Sequence, residues 1–230
     1  MPIVPFQGIV FDFDGTLATP GLNFQAMDQA AITAVTALLP DPPPKTEPAL
    51  EWLLKVKESA ARQQGVDFAD QVCRAAKAAM AEVETAAARQ TGLFPGIIEM
   101  LENLNKCSVK TGIITRNCTS AVEAAFGRKT ALLNCILSRD DLSEWKPDPT
   151  HLRKALEKME LRPEYALMVG DDPMDIQVGR ACNVRTAAVF CGHVPKEKLL
   201  ACRPDFSAEN CIELICGLAG AGLLPLHQDV

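Results

Sequence analysis

Ile9-Val10-Phe11-Asp12-Phe13-Asp14-Gly15-Thr16-Leu17 is an apolar run broken by two carboxylates. In an extended strand the side chains alternate, so Asp12 and Asp14 share one side while Phe11 and Phe13 take the other. Burying a lone carboxylate costs several kcal/mol, and such a pair usually meets a cation or works in chemistry. Asp followed by Gly is also an ordinary turn signal. Taken alone, the two acids could be solvated turn residues, and the rest of the chain has to decide.

The chain has 230 residues, 48% of them hydrophobic. That length suits one large α/β domain or a domain with a smaller insert. A net charge of -6 leaves no sequence-wide basic field to hold a nucleic-acid backbone or an acidic membrane. The 5% aromatic content argues against stacking platforms for single strands. Neither nucleic acid nor membrane is therefore expected as a partner. The nine cysteines are odd in number and lack CxxC spacing. They read as reduced core residues of a cytoplasmic protein, with no paired spacing for zinc. No basic segment precedes the first apolar run, so a signal peptide is not expected. The stretch from Cys211 to Leu226 holds Glu213, three glycines and Pro225, and reads as a terminal helix packed on the core.

Beyond Leu17 the period changes. Phe24, Met27, Ala31, Val35 and Leu38 recur at helical spacing behind a possible cap, Asn23. Asp41-Pro42-Pro43-Pro44 ends that helix, and Thr46 is the expected cap of a second, which Gly65 interrupts. Phe68 to Gln90 is rich in helix formers, with Val72, Ala76, Met80, Val83 and Ala87 on one face. From Ile97 onward, helices alternate with strand candidates at 109–115, 135–138, 166–170 and 185–190. This alternation implies βαβ units and a parallel, Rossmann-like sheet, whose ligands bind outside the carboxyl ends of the strands. Residues 18–92 read as a small helical domain inserted into an α/β core made of 1–17 and 93–230.

The strand ends carry the polar groups. The second candidate ends Thr115-Arg116-Asn117, where Thr115 offers a hydroxyl or caps the next helix. Lys146 stands in the stiff loop Trp145-Lys146-Pro147-Asp148-Pro149. The fourth ends Gly170-Asp171-Asp172-Pro173-Met174-Asp175. At about 4 Å and an effective dielectric near 20, each like-charge pair would cost roughly 4 kcal/mol. Ionising these acids together with Asp12 and Asp14 calls for a cation, and an oxygen-only donor set favours Mg2+.

The ordered set Asp12-x-Asp14-Gly15-Thr16, Thr115, Lys146 and Gly170-Asp171-Asp172-x-x-Asp175 resembles the four motifs of the haloacid dehalogenase superfamily. Leu93-Phe94-Pro95-Gly96 is similar to the re-entry segment of members whose helical cap follows the first motif. The resemblance implies a hydrolase in which Asp12 attacks phosphorus and becomes an aspartyl phosphate. Asp14 would protonate the leaving oxygen and then deprotonate water. Thr115 and Lys146 would hold the phosphoryl oxygens, and Thr16, Arg116 and Asn117 would meet the substrate. Asp12, Asp14, Asp171 and Asp175 would surround Mg2+, with Asp175 or Asp172 in its outer shell.

The resemblance leaves the reaction to be chosen. Dehalogenases lack the second acid, so Asp14 argues for phosphoryl transfer. Phosphohexomutases keep both acids but resemble Asp-Gly-Val where this chain has Asp14-Gly15-Thr16. A phosphate-binding signalling module of the receiver type would place its phosphorylated aspartate on a central strand in a shorter chain. The expectation is a cytoplasmic phosphatase, monomeric or homodimeric, for a small phosphorylated metabolite similar to phosphoglycolate. Arg62, Arg74 and Arg89 of the insert are candidates for reading the substrate's remainder or are solvated. His151, His193 and His227 are expected to be ordinary surface or core residues.

Overall fold

A computed structural model describes residues 5–225; His227 lies outside them. The chain forms two compact units, one of residues 21–90 and one that joins the segments on either side of it in sequence.

In the larger unit, β1 (Gly8–Phe11) is buried along its whole length, as a parallel strand covered on both faces must be. In the helical unit, α1 (Phe24–Leu38) starts at Asn23, whose side chain accepts from the Ala26 amide. The second helix, α2 (Ala49–Gln64), does not use the expected cap. Thr46 turns its hydroxyl to Glu47 instead, and the helix begins after Pro48. Pro48 presets the chain direction there and supplies no side-chain acceptor. Gly65, at φ +88°, separates α2 from α3 (Val66–Thr91). Trp52 is buried in this unit and donates its indole N–H to the Pro43 carbonyl at 2.8 Å, which ties the proline-rich loop to α2.

The larger unit continues with α4 (Ile97–Lys106), β2 (Lys110–Ile114), α5 (Thr119–Phe126), β3 (Cys135–Leu137) and α6 (Pro149–Lys158). It then runs through β4 (Ala166–Gly170), α7 (Pro173–Ala181), β5 (Arg185–Val189), α8 (Lys196–Ala201), β6 (Phe206–Ala208) and α9 (Cys211–Gly220). The six strands pair in the order β3-β2-β1-β4-β5-β6, every pair parallel. β6 was not expected. It is a three-residue edge strand whose Ser207 is exposed, too short for alternation to stand out. Val10, Ile114, Leu137, Leu152, Leu156 and Met168 form the core between the sheet and α6. Among the described residues, no helix is long and apolar enough to cross a membrane.

This strand order fixes where ligands can sit. β1 lies between β2 and β4, so the connections leave its two sides in opposite directions and a crevice opens at the carboxyl ends of β1 and β4. Register places Phe11 beside both Ile113 and Val169, so Asp12 emerges level with the ends of its neighbours.

Candidate active site

Asp12 follows β1 directly, and its amide donates to the Val169 carbonyl at 2.8 Å. The chain then turns sharply: the amides of Leu17 and Ala18 both donate to the Phe13 carbonyl. Phe13 is buried, its ring 6.4 Å from that of Phe126. Gly15 sits at φ +75°, and a Cβ there would come within 2.5 Å of the Asp171 carboxylate. Both the backbone and the space require glycine.

Lys146 closes the site. Only 3% exposed, it donates from Nζ to Asp12 Oδ1 at 2.5 Å and to Asp175 Oδ1 at 2.7 Å. Burial works against its charge, but the two carboxylates more than reverse this and raise its pKa. Asp171 accepts from the Thr16 hydroxyl at 2.9 Å. Burial, then the charges of Asp12 and Asp175, push its pKa up to about 8. Burial likewise pushes Asp175 up to about 7, against the pull of Lys146. Asp12, Asp171 and Asp175 can each offer an oxygen within 4.8 Å of the others. One ammonium among three buried carboxylates leaves a deficit of positive charge if all ionise. A proton or a metal ion has to fill it.

Asp14, expected beside the metal with these three, is not part of that group. Both of its oxygens accept from Asn117 Nδ2, at 3.0 and 2.9 Å. Asn117 in turn accepts the Cys118 amide on its own Oδ1. Asn117, expected to meet substrate, thus also holds the second acid. Thr115 is buried and accepts the Asn117 amide on Oγ1, so its O–H points its donor capacity elsewhere. It does not cap α5, whose N-cap is Cys118. Arg116, beside it, is half-buried and lies with Nη1 3.3 Å from the Met174 sulfur.

Asp172 is the N-cap of α7. Its side chain accepts from the Met174 amide at 2.8 Å, while Asp175 accepts the Asp172 amide at 3.1 Å. This reciprocal pair fixes Asp175 as the helix starts. Gly170 makes room for it, since a Cβ there would fall 1.9 Å from Asp175 Oδ2. Gly192 does the same for Asp171, at 1.7 Å. Gly192 is not among the expected site residues, although a glycine just past the end of β5 signals a close approach.

All nine cysteines are free thiols, and four are buried: Cys118, Cys135, Cys182 and Cys211. Cys191 and Cys107, expected in the core, are only half-buried. The Cys191 thiol donates to the Gly15 carbonyl and the Cys211 thiol to that of Thr16, at 3.1 and 3.3 Å. Burial pushes Cys191 up to about 11 and raises Cys211 as well, so both stay protonated donors near neutral pH. Brief iodoacetamide treatment of native protein at pH 7.5 should therefore label the exposed Cys216 well before Cys191 or Cys211, as read by peptide mass spectrometry.

The family model of haloacid dehalogenase-like hydrolases matches residues 9–189. The chain belongs to that family. Among curated relatives, the pyrophosphatase PpaX of Bacillus cereus (strain ATCC 10987) is 33% identical over 124 residues, 53% of this chain and 57% of that protein. The chain thus aligns with little more than half the length of the curated relatives it matches. A hydrolase from Pseudomonas syringae shares the fold of this family member at TM-score 0.64 and 21% identity, covering 93% of this chain and 98% of its own. A predicted phosphoglycolate phosphatase from Haemophilus somnus 129pt does so at TM-score 0.62 and 20% identity, with 91% and 96% covered.

Proposed function

We propose that this protein is a Mg2+-dependent phosphatase that hydrolyses a small phosphorylated metabolite through an aspartyl phosphate on Asp12. The observation that carries the proposal is Lys146 Nζ bound at once to Asp12 and Asp175, beside Asp171, at the carboxyl end of the central strand. Nucleophile, cation and acidic group meet where a parallel sheet receives its ligand.

The donor set suits Mg2+. It consists only of carboxylate oxygens, is buried, and carries more negative charge than Lys146 offsets. Asp12 and Asp171 would hold the ion, with Asp175 supporting from beyond Lys146. When bound, the ion neutralises charge on the nucleophile and the phosphoryl oxygens. The protein's own groups do the rest. An Asp12 oxygen forms a bond to phosphorus while the bond to the leaving oxygen breaks, and Asp14 gives that oxygen its proton. Water then attacks the phosphoryl group, Asp14 takes the proton back, and the bond from phosphorus to Asp12 breaks. Lys146 and the Thr115 hydroxyl hold the equatorial oxygens as charge moves. Asn117 positions Asp14 between the two steps, and Thr16 orients Asp171. Arg116 is assigned to the leaving group. The helical segment 18–92 is assigned, on the resemblance, the role of a cap that selects the substrate's remainder.

Phosphoglycolate is the first compound to try and inorganic pyrophosphate the second, the latter because of the name of the PpaX relatives. The test is a screen of the purified chain against phosphorylated metabolites with Mg2+, using Asp12→Asn as background. Phosphate release above that background supports a phosphatase. Conversion of a hexose 1-phosphate to the 6-phosphate without release would point to a mutase, and no turnover at all to a binding role. Gly192→Ala offers a check on Asp171: the added methyl must push the carboxylate aside. A misplacement near 1 Å should lower kcat on the order of a hundredfold, with the melting temperature as control for folding.

A further inference from the structure

The loop that carries Lys146 is held by a side chain that the proposed chemistry does not use. His151 lies in the first turn of α6 and is fully buried. Its Nδ1 is 3.1 Å from the Lys146 amide nitrogen, and its Nε2 is 3.1 Å from the Leu137 carbonyl. An amide can only donate, so Nδ1 accepts and Nε2 carries the ring proton, which goes to Leu137. Burial pushes the His151 pKa down to about 4, so the neutral ring this arrangement needs is the form present near neutral pH.

We propose that His151 is a positioning residue that sets Lys146, and through it Asp12, by clamping the Lys146 main chain to the end of β3. The chain of contacts is continuous. Leu137, the last residue of β3, accepts from the ring; the ring accepts the Lys146 amide; Lys146 Nζ reaches Asp12 and Asp175. The Thr115 amide also donates to the Leu137 carbonyl, at 3.0 Å. One backbone carbonyl therefore gauges the positions of both groups assigned to the phosphoryl oxygens. Local helix chemistry does not require His151, since the Asp148 side chain already caps α6 by accepting from Thr150. The inference rests on the proposed role of Lys146.

Two substitutions separate positioning from packing. His151→Asn keeps an acceptor near the place of Nδ1 and loses the donor to Leu137. His151→Gln keeps a donor near Nε2 and loses the acceptor for Lys146. Both remove similar packing, so a purely structural histidine predicts equal effects. The measurements are hydrogen exchange of the Lys146 amide in 15N-lysine-labelled protein, and Mg2+-dependent turnover of p-nitrophenyl phosphate, with Lys146→Ala as reference. The expected result is that His151→Gln speeds exchange at least tenfold and lowers kcat about tenfold with KM within twofold. His151→Asn, which keeps the acceptor for Lys146 but loses the anchor at Leu137, should show a clearly smaller change in both. Equal exchange and equal kcat in the two variants would overturn the proposal. If Lys146→Ala turned over normally, or the parent not at all, the catalytic reading would fall, while the exchange comparison would still decide whether His151 sets Lys146.

Discussion

Asp12→Asn should cut Mg2+-dependent phosphate release by at least roughly a thousandfold, the scale on which loss of a covalent nucleophile is felt. The same substitution should leave the melting temperature unchanged or raised. Both halves follow from the geometry. Asparagine has nearly the shape of aspartate, and its Oδ1 can still accept from Lys146 where Asp12 Oδ1 accepts at 2.5 Å. The amide cannot form the acyl phosphate. It also removes one negative charge from a crowded buried group, and the Asp12 charge ranks directly after burial among the causes that hold Asp171 protonated. Relief of that repulsion offsets the weaker bond to Lys146. Activity lost with stability kept is the signature of a site built for chemistry rather than for folding. Phosphate release and calorimetry on the same preparation check it. Retention of more than a few per cent of the activity would remove Asp12 from the nucleophile's role.

What was legible in the sequence divides along physical lines. The β1 run declared itself through composition and the placement of its acids, because a strand buried on both faces tolerates almost nothing polar. Cap chemistry at Asn23 is local and could be read directly. Thr46 failed as a cap because a neighbouring proline had already set the start of α2, a choice that residue preference alone does not reveal. The pairing of Lys146 with Asp12 joins residues 134 apart in sequence. No local pattern encodes such a contact. In sequence, one buried imidazole looks like another until its two nitrogens are followed, here to Lys146 and Leu137. Asn117 and Gly192 were legible only in part. An amide beside a strand end announces a polar contact but does not name Asp14 as its partner. A glycine after β5 announces space but does not say that Asp171 fills it.

Chelation should abolish turnover, and in metal-free protein stability should fall as pH rises. The sign follows from Asp171 and Asp175. Their ordinary pKa is 3.8, and in the folded chain burial pushes them up to about 8 and about 7. Between those limits the folded state holds protons that the unfolded state has released, so raising the pH favours unfolding. The slope is about 1.4 kcal/mol per pH unit for each proton so held, and it flattens above pH 8. The stabilisation is complete below about pH 4 and lost as pH rises through 7 and 8. Lys146, bonded to Asp175, eases the second carboxyl more than the first, so both contribute up to about pH 7 and the slope above that belongs to Asp171. A divalent cation competes with these protons for the same oxygens. Mg2+ should therefore raise the melting temperature little at pH 5.5 and strongly at pH 8.5, since at one hundred times its Kd a ligand adds about 2.7 kcal/mol. Melting curves in EDTA and in Mg2+ at both pH values, with turnover measured alongside, make the comparison. Equal shifts at the two pH values would mean that the ion binds away from Asp12, Asp171 and Asp175. Unchanged turnover in excess EDTA would mean that Lys146 and protons alone balance their charge, and the metal would drop out of the mechanism.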